Sequence, residues 1–511
     1  MAVPAPSPAA VIATIRKANG QDNEQVLKLL NQYAGLSTST QDNARSSFVA
    51  KVFPLVFGDK ALVRGSSDYE TQRQLPCTSK HVAAASSLCI FLNTKFSIRG
   101  GGRLNHPGAN SNDDGVVISL AEFNKVKLSH DKRTADIGVG LRWLDVFEAL
   151  EPHGLAVAGG RVPHVGVPGL ILGGGISFQN SQYGVGAMGV VEYEVVLADS
   201  RIINANATEN KDLFWALKGG GSNFGIVTNL TMITVPNKIW CEARVYSPTA
   251  YDALIAALMQ YHDAIENNDK ATLIWYANES VILLVLVYCS PDPDANENKP
   301  AVFAPFLDIP AVTSLVPPAI RTVYELGQGI ADVVSTEAKV YEFRTMSSRP
   351  SAKLYAAIEQ ARATQAAALS DIEGLDITTV FQPMSSLAMK KSADTPLGLD
   401  PVGQQWFLAM GECTHSADEE RVRDAIKRIV DVAEATAREE GVWLRYKYIN
   451  YAARDQDALG SYGADNVQRL KEVAGKYDPS SVFQTLQGGG WLLGRVGSRA
   501  GGGGMKGESR M

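Results

Sequence analysis

Three consecutive glycines, Gly100-Gly101-Gly102, stand between Arg99 and Arg103 at the end of the β-prone run Phe96-Ser97-Ile98. Leu104, Asn105 and His106 follow, before a Pro107-Gly108 turn. Consecutive glycines reach φ > 0 and carry no Cβ, so neighbouring main-chain N–H groups can converge on one anion. A phosphate or pyrophosphate is the natural guest, and Arg103 would add a bidentate, charge-assisted contact. Two more glycine runs follow, Gly173-Gly174-Gly175 and Gly219-Gly220-Gly221. Each alone is equally a tight turn; together they suggest one long phosphate-bearing cofactor lying across several loops.

The elements that must position these loops are legible in outline. Apolar spacing at Val26, Leu27, Leu29 and Leu30 predicts a helical region between Val11 and Leu36, and residues 48–64 read as irregular. Residues 193–197 read as a strand and 212–218 as a short helix. From about Pro236 the texture changes, with β-prone runs at residues 272–276, 281–289, 377–382 and 404–411. Ser416 and Glu419 have capping-box spacing ahead of Val422, Ala425, Ile426 and Ile429, and Gly441 closes that helix. Strands interleaved with amphipathic helices predict a sheet covered on one face and free on the other to roof a pocket. A last helix over residues 465–476 presents Val467, Leu470, Ala474 and Tyr477 on one side.

With 511 residues the chain is too long for one core. A net charge of −6 and the lack of a Lys/Arg stripe argue against nucleic-acid binding. The longest apolar run, residues 281–289, is too short for a membrane helix. Five cysteines and seven histidines are scattered without metal-ligand spacing, so no metal site is expected. The first ten residues lack the apolar core of a secretory signal, so the chain as written reads as cytoplasmic, and as secreted only if its N-terminus was trimmed.

The order of these blocks resembles the FAD-linked oxidases of the berberine-bridge-enzyme-like group, in the vanillyl-alcohol-oxidase superfamily, and fungal natural-product members above all. The resemblance rests on residues 99–108 and on Ala158-Gly159-Gly160-Arg161-Val162-Pro163-His164-Val165-Gly166-Val167. It continues through Gly173-Gly174-Gly175-Ile176-Ser177-Phe178, Tyr193 to Asp199, Asp212 to Gly221, Tyr448-Ile449-Asn450-Tyr451-Ala452 and Tyr477 to Gln484. It implies an α+β, two-domain PCMH-type FAD-binding fold whose substrate domain is an antiparallel sheet covered by helices on one face. Residues 1–235 would form the FAD-binding domain, 236–454 the substrate domain and 455–495 a return to the first, with 496–511 a disordered tail.

FAD would be held by Arg99, Gly100, Gly101, Gly102, Arg103, Leu104, Asn105 and His106, by Gly166, Gly169, Gly173, Gly174, Gly175 and Ser177, and at its adenine end by Ile226 and Val227. The family's usual flavin-bonding histidine is Arg103 here, and the second attachment cysteine is Val162. FAD without a covalent bond is therefore expected, with His106 the one alternative tether. Arg103, and secondly His164, would stabilise charge on the reduced ring. The base that takes the substrate proton would be Tyr448, Glu342 or Glu412, and Asn450 would bond flavin or backbone. Gln382, Trp406 and Tyr276 are candidate pocket walls, or plain packing residues. The implied function is oxidation of a small natural-product intermediate with O2 as acceptor. The loss of both tethers leaves a redox-silent isomerase or cyclase as the alternative. Oligomeric state is left open.

Overall fold

The structure is a computed structural model describing residues 5–20, 23–61, 78–104, 106–113, 115–290, 299–332 and 339–497. Asn105 and the last fourteen residues of the expected tail lie outside the described residues, as does the short segment Gln74-Leu75-Pro76-Cys77. Three helices, Pro8–Asn19, Glu24–Ala34 and Thr38–Phe57, open the chain. The third corrects the irregular reading of residues 48–57. Phe48, Val52 and Val56 recur at i, i+4 and are buried, so packing carries the helix through Pro54 in its last turn.

Strands β1 (Phe96–Arg99) and β2 (Val116–Ser119) pair in parallel and deliver the chain to the first glycine run. Beside them stands a five-stranded antiparallel sheet. Its strands are β3 (Val126–Leu128), β4 (Thr134–Gly138), β6 (Val190–Val196), β7 (Ile202–Asn206) and β8 (Ile226–Ile233), in the order β3-β4-β8-β6-β7. A two-residue pair, β5 (Leu155–Ala156) with β9 (Val235–Pro236), closes this part.

The second sheet has eight antiparallel strands. These are β10 (Lys238–Tyr246), β11 (Ala271–Ala277), β12 (Ile282–Cys289), β13 (Thr313–Thr322), β14 (Val340–Ser348), β15 (Asp376–Met384), β16 (Gln404–Cys413) and β17 (Trp443–Leu444). Their order is β13-β10-β12-β11-β15-β16-β14-β17. Strand alternation sends Trp240, Trp275, Phe381 and Phe407 to one core, shared with helices Tyr251–Ile265, Ala352–Ala368 and Glu419–Glu439. Cys241, Ile274, Val285, Val380, Trp406 and Leu408 point the other way, into the core of the first part. The β12 run is apolar almost throughout because both of its faces are buried.

Helix Glu419–Glu439 buries Val422, Ala425, Ile426, Ile429, Val430 and Ala433 against the sheet. It crosses β16 so closely that a Cβ on Gly411 would lie 2.6 Å from Val422 Cγ1. The expected capping box is not formed. Residues Ser416–Asp418 make a 3-10 turn, and the Glu419 carboxylate turns instead to Arg423 and Arg454. Helix Ala464–Tyr477 buries all four residues assigned to its inner side.

Candidate active site

At the end of β1 the backbone enters the glycine run, with Gly102 in the left-handed region at φ +65°. Side chains brace the loop from behind. Arg99 Nε donates to Asn110 O at 2.9 Å, Asn110 Nδ2 donates to Leu104 O at 2.8 Å, and Ser97 Oγ contacts Gly108 O and Ser111 O at 2.9 and 2.8 Å. The main-chain amides of Gly100, Gly101, Gly102 and Arg103 donate no hydrogen bond to any described residue. Unsatisfied adjacent amides at a left-handed turn are the donor set a phosphate requires. Arg103 is exposed at this mouth. Burial, and then the neighbouring Arg103 charge, pull Arg142 below the usual guanidinium range. Two cations held side by side favour a doubly charged guest, so the residues present fit an FAD pyrophosphate.

The nest rests directly on the next matching block. A Cβ on Gly101 would lie 2.4 Å from Gly166 Cα, and one on Gly100 would lie 2.5 Å from Pro168 Cγ. Helix Val167–Leu172 starts at this contact, and Arg142 Nη1 ties the block down through His164 O at 2.8 Å. His164 is half-buried, and its carbonyl is the group engaged. Gly169 is exposed, with open space where a Cβ would stand.

In the other two glycine runs only Gly175 and Gly219 keep an amide without an acceptor among the described residues, so neither run offers adjacent free amides. Gly173 and Gly174 donate to Leu170 O and Ile171 O, while Gly220 and Gly221 donate to Ala216 O and Leu172 O. These runs end helices and let backbone pack closely. A Cβ on Gly173 would strike Asn450 Oδ1 at 2.3 Å, and Leu397 fills the space beside Gly174 and Gly219. Gly175 also has positive φ, and Ser177 is buried with its hydroxyl on Asn180 Oδ1 at 3.0 Å. Ile226 and Val227 are buried where β8 pairs with β6; pairing with β4 starts only at Asn229.

Beyond helix Val167–Leu172 lies an aromatic cluster. Asn450 Nδ2 reaches Leu170 O at 3.1 Å and the Tyr448 hydroxyl at 3.0 Å, so Asn450 bonds backbone. Tyr448 is fully buried, stacked 5.2 Å from the Trp406 ring and set edge-on to Tyr451 at 4.8 Å. Trp406 lies opposite Gln382 in the sheet register, and Tyr276 lies opposite Val380 on the same face. The three expected walls are therefore together.

At the centre stands a residue to which sequence reasoning gave no role. Arg161, 8% exposed, donates from Nη1 to Gln382 Oε1 at 2.6 Å and from Nη2 to the Tyr451 hydroxyl at 3.4 Å. Burial pushes Tyr276 up to about 12, and it raises Tyr448 and Tyr451 as well, while the Arg161 charge pulls all three back. Tyr451, and not the locked Tyr448, is the phenol in contact with the cation.

The two candidate carboxylates are elsewhere. Glu342 lies opposite Gly411, hence on the helix-covered face, where Arg423 Nε and Arg454 Nη2 approach it at 3.0 and 2.9 Å. Glu412 binds Lys339 at 2.8 Å, six residues along β16 from Trp406, or about 20 Å. Burial, aided by Glu419, pushes Glu342 up to about 7 against the pull of Arg423. The folded protein thus keeps a proton that the unfolded chain loses near 4.5. That stabilising contribution is complete below the lower value and is lost as pH rises through the upper one. Melting temperatures of wild type and Glu342→Gln across this range are expected to converge or cross in favour of the variant as pH rises.

His106 is buried, with Nε2 3.2 Å from Ala452 O and its ring 5.0 Å from that of Trp491. It packs against the C-terminal segment, whose Gln487, Gln484 and Trp491 bond Ser222 and Asn223 just past the third glycine run.

Residues 74–206 match the FAD binding domain family model, and residues 447–488 match the model described as berberine and berberine like. An FAD-dependent monooxygenase of Arthrobotrys oligospora is 35% identical over 427 residues, covering 82% of this chain and 81% of its own. The chain belongs to the berberine-bridge-enzyme-like family of FAD-linked oxidoreductases. A bifunctional solanapyrone synthase of Alternaria solani is 30% identical over 82% of this chain and 80% of its own. Among solved structures, glucooligosaccharide oxidase of Acremonium strictum superposes with a TM-score of 0.67 at 20% identity, over 80% of this chain and 89% of that one. The fold is accordingly the PCMH-type FAD-binding fold with an antiparallel sheet domain. The protein is an FAD-linked oxidoreductase of the kind found in fungal secondary metabolism. No helix among the described residues is long and apolar enough to cross a membrane.

Proposed function

We propose that this enzyme oxidises a small, largely apolar natural-product intermediate with O2 as electron acceptor, and that its FAD is held without a protein–flavin bond. The observation that carries the reading is the run from free amides at Gly100–Arg103, across Gly166 and helix Val167–Leu172, to a phenol beside a buried cation. Gly100, Gly101, Gly102, Arg103 and Arg142 would hold the pyrophosphate, with Leu104 and His106 fixing the loop beyond. Gly166, Gly169, Gly175 and Ser177 would border the ring system, with the unpaired edge at Ile226 and Val227 towards the adenine. When bound, FAD supplies the two-electron acceptor.

The chain's own residues do the rest. Tyr276, Trp406 and Tyr448 form a wall that excludes water from the substrate. Tyr451 receives the substrate's proton at its hydroxyl oxygen, and Arg161 favours the phenolate that makes this possible. Asn450 fixes the wall to the flavin-side helix. Arg103 and Val162 stand at the two attachment positions, and neither side chain can form the family's usual bond. Purified protein is expected to be yellow and to release its flavin into the supernatant on acid precipitation. Flavin retained in the pellet would overturn the non-covalent assignment and direct attention to His106. A colourless protein that still converts substrate would restore the redox-silent alternative.

A further inference from the structure

Arg161 carries a permanent charge in a nearly dry setting, yet no carboxylate of a described residue lies within ion-pair distance of it. An isolated buried guanidinium is strongly unfavourable unless something compensates it. Its two contacts are neutral, the Gln382 amide oxygen and the Tyr451 hydroxyl. Because arginine only donates, Gln382 must turn Oε1 towards it, and the amide nitrogen is forced to the other side. That Nε2 is buried and has no partner, in a residue 1% exposed. A charge without a counter-ion and a donor without an acceptor therefore sit on adjacent side chains, among Tyr276, Tyr448 and Tyr451. Gln382 belongs to β15 and Tyr276 to β11, so the cation is turned towards the substrate sheet and away from the glycine nest.

We infer that Arg161 and Gln382 bracket an oxyanion of the substrate, so that the enzyme takes molecules carrying an acidic enol, such as an enolised 1,3-dicarbonyl, or an acidic phenol. This rests on the proposed reading of the aromatic cluster as the substrate chamber. Arg161 supplies the charge-assisted donors, Gln382 Nε2 supplies a second, and the aromatic rings sandwich the planar conjugated system. Neutral analogues of the same shape leave both groups unpaired and are rejected.

The test uses 4-nitrophenol, whose ionised and neutral forms absorb at different wavelengths, with nitrobenzene as the neutral isostere. Wild type is expected to bind the probe as nitrophenolate. Arg161→Gln should weaken that binding at least about tenfold while leaving nitrobenzene within roughly twofold, and Arg161→Lys should restore part of the loss. Gln382→Glu guards against misfolding of the first variant. It places a carboxylate on the guanidinium, keeps the cluster paired, and should expel the anion just as strongly.

An unchanged preference for nitrophenolate over nitrobenzene in both variants would overturn the inference. So would a shift in flavin reduction potential in Arg161→Gln with no change in that preference, which would assign the cation to the flavin instead. Visible absorbance of the same samples reports flavin loading separately. A wild type without flavin would sink the oxidoreductase reading and leave the anion measurement standing.

Discussion

Alanine at position 101 is expected to give a protein that folds but does not load flavin. The new Cβ would lie 2.4 Å from Gly166 Cα and 2.6 Å from Gly166 N, and both obstacles are main-chain atoms of a buried, tied-down segment. Neither a rotamer change nor a flexible tip is available to relieve the contact. The two loops must part, at a cost typical of overpacking, about 1–3 kcal/mol. That is tolerable for a domain, but it moves the amides of Gly100–Arg103 off the positions at which they converge. Each charge-assisted hydrogen bond is worth about 1.5–3 kcal/mol, so misaligning two of them lowers affinity at least about 100-fold. Titration of apoprotein with FAD, followed by flavin fluorescence, measures this directly. Gly475→Ala, in a helix with nothing within 4 Å of the new methyl, is the control and should load normally. A yellow Gly101→Ala protein with wild-type FAD affinity would show that the nest is only a turn.

The contrast among the three glycine runs marks how far sequence reaches. All three look alike as strings, and all three lie in matching blocks. Only the first leaves every amide without an acceptor among the described residues; each of the others spends two of its three, on the carbonyls of Leu170 and Ile171 and on those of Ala216 and Leu172. A glycine run says that backbone comes close to something, and not what that something is.

Four strands of the second sheet, β11, β12, β15 and β16, were legible because β-prone runs are local patterns, as is an amphipathic helix stripe; β10, β13, β14 and β17 gave no such run. Once the register of β14 on β16 is known, parity removes Glu342. Trp406 and Gly411 differ by an odd number on one strand, so the partner of Gly411 cannot share the face of Trp406. Arg161 had no such signal. Its partner Gln382 is 221 residues away, and a single arginine in a glycine-rich run has no periodicity to betray its direction. The helix through Pro54 was missed for a related reason, since a proline in a last turn is indistinguishable in sequence from a breaker.

Tyr448 and Tyr451 stand three residues apart in one motif, and their hydroxyls have different partners, Asn450 for the first and Arg161 for the second. Replacing Tyr451 by phenylalanine is expected to lower kcat by about 10²–10⁴-fold, the range for losing a general base, with FAD loading unchanged. Its hydroxyl makes a single long contact, 3.4 Å from Arg161, so little stability is lost with it. Tyr448→Phe should do the reverse. Its hydroxyl receives Asn450 at 3.0 Å in a fully buried stack, so removing it should cost about 1 kcal/mol of stability and only a small part of the rate.

The pH profile adds a readout that packing alone would not move. Burial raises Tyr451 and Arg161 lowers it, so the active phenolate forms as pH rises, and wild-type kcat/KM should climb on the alkaline side. Arg161→Gln removes the lowering influence and should push that climb further alkaline; in Tyr451→Phe the climb should vanish. Rates of flavin bleaching under anaerobic conditions, taken with a substrate that bleaches the wild type, give all three profiles. Equal losses in the two phenylalanine variants, or an alkaline limb that survives in Tyr451→Phe, would move the base to another residue. In either case the contact between Arg161 and Tyr451 would be structural only.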